Sequence, residues 1–271
     1  MSVVIITENF VEYHIDDSGV LLKMLNKGIT DRSVTIKHIL DSGHVINALG
    51  KHFAEYEEFY EIVVSDEICE VKTEAFAFCY AKKVRWSSGC KKIPALCFRS
   101  SRVNEVTNVD HVTSICREAF AASKLKTFRW PTCCKKIPAR CFIVSYLSSI
   151  SNIDHVKSVG AGAFEACYID KLVWPSHCPV IPRECFRNTV SLRNITNLQN
   201  VLSIEERAFF GLQLENVDLS NAAISTIGAN AFNGTDKKEI SLPYYLDDSV
   251  FIDNEELDPI ALMKRRVVSR R

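Results

Sequence analysis

Metal-ligating side chains recur at an even interval in this chain: His111, Cys133, His155 and His177 stand 22 residues apart. If successive segments stacked as strands, neighbours in this column would lie about 5 Å apart, near enough for two or three to share a Zn²⁺. Asp110 and Asp154 each precede a histidine and could orient its ring from behind. Against that reading, a straight column does not readily make a tetrahedron, and a place just after a strand is a solvent-facing turn. Eleven cysteines widen the question. The absence of any C-x-x-C pair excludes a zinc ribbon. Two readings remain for the thiols. Cys90–Cys97, Cys134–Cys141 and Cys178–Cys185 are staples in an oxidising compartment, or all are small buried hydrophobes. No serine or cysteine nucleophile motif, glycine-rich phosphate loop or HExxH is present. The chain is therefore read as non-enzymatic and without a cofactor.

The elements that must position these residues follow from a repeat. "CKKIPALCF" (residues 90–98) and "CKKIPARCF" (residues 134–142) differ at one place and lie 44 residues apart. Aligned on their final phenylalanine, the same ending recurs at Phe53, Phe76, Phe98, Phe120, Phe142, Phe164, Phe186, Phe209 and Phe232, in steps of 22 or 23. Such a period marks a solenoid of the leucine-rich class with one coil per repeat. Five residues before each phenylalanine from Phe76 onward stands Val or Ile, as in Ile93, Ile137 and Ile181. The residue twelve before alternates Trp86, Asn108, Trp130, Asn152, Trp174, Asn197, so the true unit is a pair of coils. The tryptophans are expected in the core, and each asparagine is expected to bond backbone groups at a strand end.

Alternation around the fourteenth position predicts short strands near residues 83–86, 105–109, 127–130, 149–153, 171–174 and 194–198, paired into one parallel sheet. The proline-led stretches read as short helical or 3₁₀ turns on the opposite face. The expected class is an α/β repeat solenoid with the sheet on its concave face. Arg85, Thr107, Arg129, Ser151, Val173 and Thr196 then point outward and form the candidate binding surface. Lys91, Lys92, Lys135 and Lys136 add basic charge on nearby turns, which suits a protein partner with an acidic patch.

The endings "VTSICREAF", "VKSVGAGAF" and "ISTIGANAF", with "WPTCCKKIPARCF" and "WPSHCPVIPRECF", resemble the BspA-like (Treponema pallidum-type) leucine-rich repeat family over residues 45–242. The resemblance implies a curved solenoid that binds proteins, often as a surface adhesin of bacteria or parasitic protists. Tryptophan and asparagine replace the family's usual aliphatic residue in these coils.

A solenoid needs caps at its open ends. Residues 1–44 read as a β-hairpin cap with an Asp/Ser/Gly turn and an irregular first strand, and 243–271 as a C-terminal cap with a charged tail. That tail is either a docking segment or a solvated end. The 33 basic residues balance the 33 acidic ones, which argues against a nucleic-acid partner. No apolar run approaches the ~20 residues of a membrane span. The first residues lack the pattern of a secretory signal, so a cytoplasmic monomer is expected, with a surface or secreted location as the alternative.

Overall fold

The computed structural model describes residues 2–28 and 33–246. The chain divides into two compact units. One comprises Met1–Cys134 with Ser145–Leu147, the other Lys135–Val144 with Ser148–Arg271.

The first unit opens with antiparallel strands Val3–Glu8, Val11–Asp16 and Val20–Asn26. In the second of these, alternate residues Val11, Tyr13 and Ile15 are buried, as expected of a strand with one wet face. The turn into the third is fixed by the Asp16 carboxylate, which accepts from the Ser18 and Val20 amides and the Ser18 hydroxyl. Gly19 supplies the left-handed step (φ 80°) that closes it. Val20–Asn26 then pairs in parallel with Ala48–Leu49, which pairs with Glu70–Val71. The antiparallel cap thereby hands its open edge to the coils.

Each coil contributes to three backbone ladders. In the first unit, Ser33–Ile36, Glu61–Val64, Lys83–Arg85 and Glu105–Thr107 form a four-stranded parallel sheet, and Lys92–Ile93 pairs with Ser114–Ile115. The third ladder runs through the phenylalanine turns, where Phe76 N–H donates to Cys97 O and Phe98 N–H to Ala119 O. In the second unit, Lys171–Val173 pairs with Asn194–Thr196, and Lys136–Ile137 with Ser158–Val159. Val180–Ile181, Ser203–Ile204 and Thr226–Ile227 form a three-stranded ladder.

The outward strands do not make the single continuous sheet expected. Among the described residues, no ladder joins Glu105–Thr107 to Thr127–Arg129, or Ser149–Ser151 to Lys171–Val173. The breaks have a local cause at the tryptophan–asparagine alternation. Asn108, Asn152 and Asn197 follow their strands in the left-handed region (φ 57°, 60° and 67°), which asparagine tolerates better than most residues. Asn108 Nδ2 donates to Trp86 O and Asn197 Nδ2 to Trp174 O, while the Trp86 and Trp174 amides donate forward to Thr107 O and Thr196 O. The Asn108 and Asn197 coils are thus each tied to the tryptophan coil before them.

The core columns are filled as the repeat requires. Trp86, Trp130 and Trp174 are fully buried, and each indole N–H donates to the carbonyl four residues on, at Cys90, Cys134 and Cys178 (2.8–3.0 Å). Within each unit the phenylalanine rings stack, with centroids 5.1–5.7 Å apart and planes within 17°. Phe53 is an exception. The left-handed His52 and Tyr56 and the bonds from Glu55 N–H to His52 O and Glu57 N–H to Ala54 O place Ala54 in the phenylalanine column. "FA" stands where the next coil has "AF", and Phe53 meets Phe76 edge-on at 4.9 Å.

The short helical or 3₁₀ turns expected on the opposite face are only weakly borne out. Among the described residues the helical content is one 3₁₀ segment, Lys237–Glu239. The phenylalanine turns do carry three-residue bonds, such as Ala75 N–H to Lys72 O, Ala77 N–H to Glu74 O and Cys79 N–H to Phe76 O. From Phe76 onward, left-handed residues two before and two after each phenylalanine interrupt them, for example Glu74 and Phe78, or Arg140 and Val144. A helix cannot propagate through such positions. No described helix is long and apolar enough to cross a membrane. The charged tail beyond residue 246 lies outside the described residues.

Candidate functional site on the strand face

The outward strand residues fall into two sets. In the first unit Arg85 and Thr107 are half-buried and Arg129 is exposed. Neither arginine is free. Arg85 grips Asp66 of the preceding coil with both terminal nitrogens (3.1 and 3.3 Å), and Asp66 also accepts from the Ser88 amide (2.8 Å). Arg129 Nη1 donates to Asp110 Oδ1 at 3.0 Å, across the break between Glu105–Thr107 and Thr127–Arg129. The positive charge expected of this face is therefore already matched by carboxylates.

In the second unit Ser151, Val173 and Thr196 are exposed, with 59% of Val173 open to solvent. All three line one depression of about 610 Å³, together with Asn152, Asp154 and Lys171. It lies over the break between Ser149–Ser151 and Lys171–Val173. Lys91, Lys92, Lys135 and Lys136 are exposed but belong to the second short strand of their coils or the residue before it, not to the outward strands.

The histidine and cysteine column does not assemble into a metal centre. His111 is half-buried, and its Nε2 donates to the carbonyls of Ser87 (2.9 Å) and Cys90 (3.2 Å) in the preceding coil. Asp110 pairs with Arg129 instead of orienting that ring. Cys133 and His177 are exposed and His155 is half-buried. Among the described residues no three His, Cys, Asp or Glu side chains form a group that could hold a metal ion.

The cysteines are free thiols. Cys97 and Cys185 are wholly buried, and burial pushes both well above the ordinary thiol value.

A second column escaped the sequence reading. Tyr80, Arg102, Lys124 and Tyr146 stand four residues after successive phenylalanines. The Arg102 guanidinium lies 3.8 Å from the Tyr80 ring centre, and Lys124 Nζ lies 3.4 Å from that of Tyr146. The 22-residue spacing was the available signal. The pairing of an aromatic residue with a cation of the neighbouring coil shows only when the column is read down the stack.

The profile of the BspA-type leucine-rich repeat region matches residues 69–189 and 179–266, in six copies. The chain belongs to that family. Among solved structures it is similar to a leucine-rich repeat protein from Bacteroides ovatus (16% identity, TM-score 0.65), covering 85% of this chain and 60% of that one. It is also similar to a leucine-rich repeat protein of T. pallidum, with 14% identity and TM-score 0.47, over 92% of this chain and 99% of that one. At these identities the likeness concerns the fold alone. No curated protein sequence matches. Leucine-rich repeats of this family generally serve as protein-interaction modules.

Proposed function

We propose that the chain is a non-enzymatic protein-binding module and that its partner docks on the outward strand face. The observation that carries this reading is the open depression over Ser151, Val173 and Thr196, where a β-branched apolar side chain is 59% exposed on an otherwise polar strand surface. Regular coils hold these side chains on fixed backbone, so binding costs little ordering of the site. Arg85 and Arg129 contribute less than their charge suggests, because an acidic partner would first have to displace Asp66 and Asp110.

The test places a photo-crosslinking residue singly at Ser151, Val173 and Thr196, and as controls at Ser100 and Val144 on the phenylalanine turns. Capture of one protein from the strand positions, reproduced with purified partner, supports the reading. Capture confined to the turn positions sinks it.

A further inference from the structure

The outward face repeats one device with a 44-residue period. Asp66 binds Arg85, and Asp110 binds Arg129, each pair separated by 19 residues in sequence and one coil in space. The third set is Asp154 and residue 173, and there the arginine is replaced by Val173. The carboxylate persists without its cation: Asp154 makes no ion pair among the described residues and is exposed. The consequence is visible in the surface. Arg129 spans the break after Glu105–Thr107, whereas among the described residues no aspartate–arginine pair spans the equivalent break after Ser149–Ser151, and the depression of about 610 Å³ opens there.

We infer that this unclasped seam is a slot for an arginine side chain of a partner protein, which supplies in trans the guanidinium that the repeat omits. The inference rests on the strand face being the docking surface. Twice on this scaffold an acid at this repeat position receives a guanidinium from the strand that follows. A planar fork matches a carboxylate better than an ammonium does. The aliphatic stem of the incoming side chain would lie on Val173. Lys171 lines the same depression without pairing with Asp154. Its equivalent in the first unit, Lys83, is neutralised by Glu105 of the next coil (2.9 Å), but Lys171 faces Asn194 in register. The slot therefore holds one acid and one base before a ligand arrives, and a guanidinium must compete with Lys171 for the field of Asp154.

The test uses the full chain with ¹³C-labelled valine methyls and three probes: acetyl-Leu-Arg-Leu-amide and its lysine and citrulline counterparts. The arginine probe should move the Val173 methyl signals at the lowest concentration and the citrulline probe should bind about tenfold more weakly, since it keeps the shape and loses the charge. Asp154→Asn should remove that difference. Val173→Arg should abolish binding by closing the clasp in cis, without lowering the thermal midpoint. Lys171→Gln should tighten the arginine probe. Equal binding of arginine and citrulline probes at Val173 would overturn the slot while leaving a binding face. Tighter binding of the lysine probe would overturn the guanidinium assignment. No shift at Val173 with any probe, at concentrations where lysine and arginine peptides bind exposed carboxylates, would overturn the slot; crosslinking from the strand positions would still decide the face independently.

Discussion

The Arg85 guanidinium and the Ser88 groups hold the Asp66 carboxyl well below the usual carboxylate range. Its folded value lies below the unfolded one of about 3.9. The stabilisation it lends is complete above that unfolded value and is lost as pH falls through the folded one. Carboxyl-detected NMR titration should place the Asp66 midpoint below the ordinary range, and Arg85→Gln should return most of the shift; an unmoved midpoint would assign it elsewhere. Thiol chemistry is set at the same scale. Burial pushes the Cys79 thiol up to about 12 and those of Cys90 and Cys167 to about 11. A disulfide-exchange reagent at pH 8 should label Cys69 and Cys133 within the mixing phase and the eight buried cysteines only on unfolding. Fast labelling of more than three sites in the folded chain would contradict this burial pattern. The inward columns were legible in sequence because size is conserved down a stack: Cys97, Cys141 and Cys185 stand where neighbouring coils have alanine. The aspartate clasps were not. Asp110 adjoins His111, and adjacency suggested a metal ligand's support, whereas the true partner, Arg129, is 19 residues away.

At the scale of the element, the phenylalanine turn explains why a short helical or 3₁₀ turn was expected and only single three-residue bonds are found. A proline four residues before phenylalanine, as Pro94 precedes Phe98, fits the first turn of a helix. What forbids the helix is a pair of left-handed residues, and the sequence rarely announces them. Glycine or asparagine marks some, such as Gly162, Asn188 and Gly211, but Leu96, Arg140 and Val144 occupy equivalent places. Backbone bonding to the next coil fixes these conformations against local preference: Val144 N–H donates to Glu165 O at 2.8 Å. Val144, at φ 58°, is the costliest of these, being β-branched. Its side chain is also exposed, so little packing offsets the strain. Val144→Asn should raise stability by about 1 kcal/mol, measured as a shift in denaturant midpoint at constant slope. A lower midpoint would mean that the isopropyl group packs more than its exposure indicates.

For the molecule as a whole, the hydrogen-bonded doublet of a tryptophan coil and the asparagine coil after it has a consequence for how the chain can change length. Excising residues 91–134 joins Cys90 to "KKIPARCF", restoring the local sequence that was cut and leaving tryptophan and asparagine coils in alternation. Excising 91–112 removes half as much chain, yet it fuses a tryptophan coil onto the lower half of an asparagine coil and sets two tryptophan coils in succession. The longer deletion should therefore melt cooperatively near the parent's midpoint, and the shorter one should melt lower or expose tryptophan to fluorescence quenchers. If both deletions behaved alike, the single coil would be the unit of folding. If the doublet is that unit, replication slippage and recombination can lengthen or shorten this gene product only in steps of 44 residues, and the copy number seen among natural variants should differ by even counts of coils.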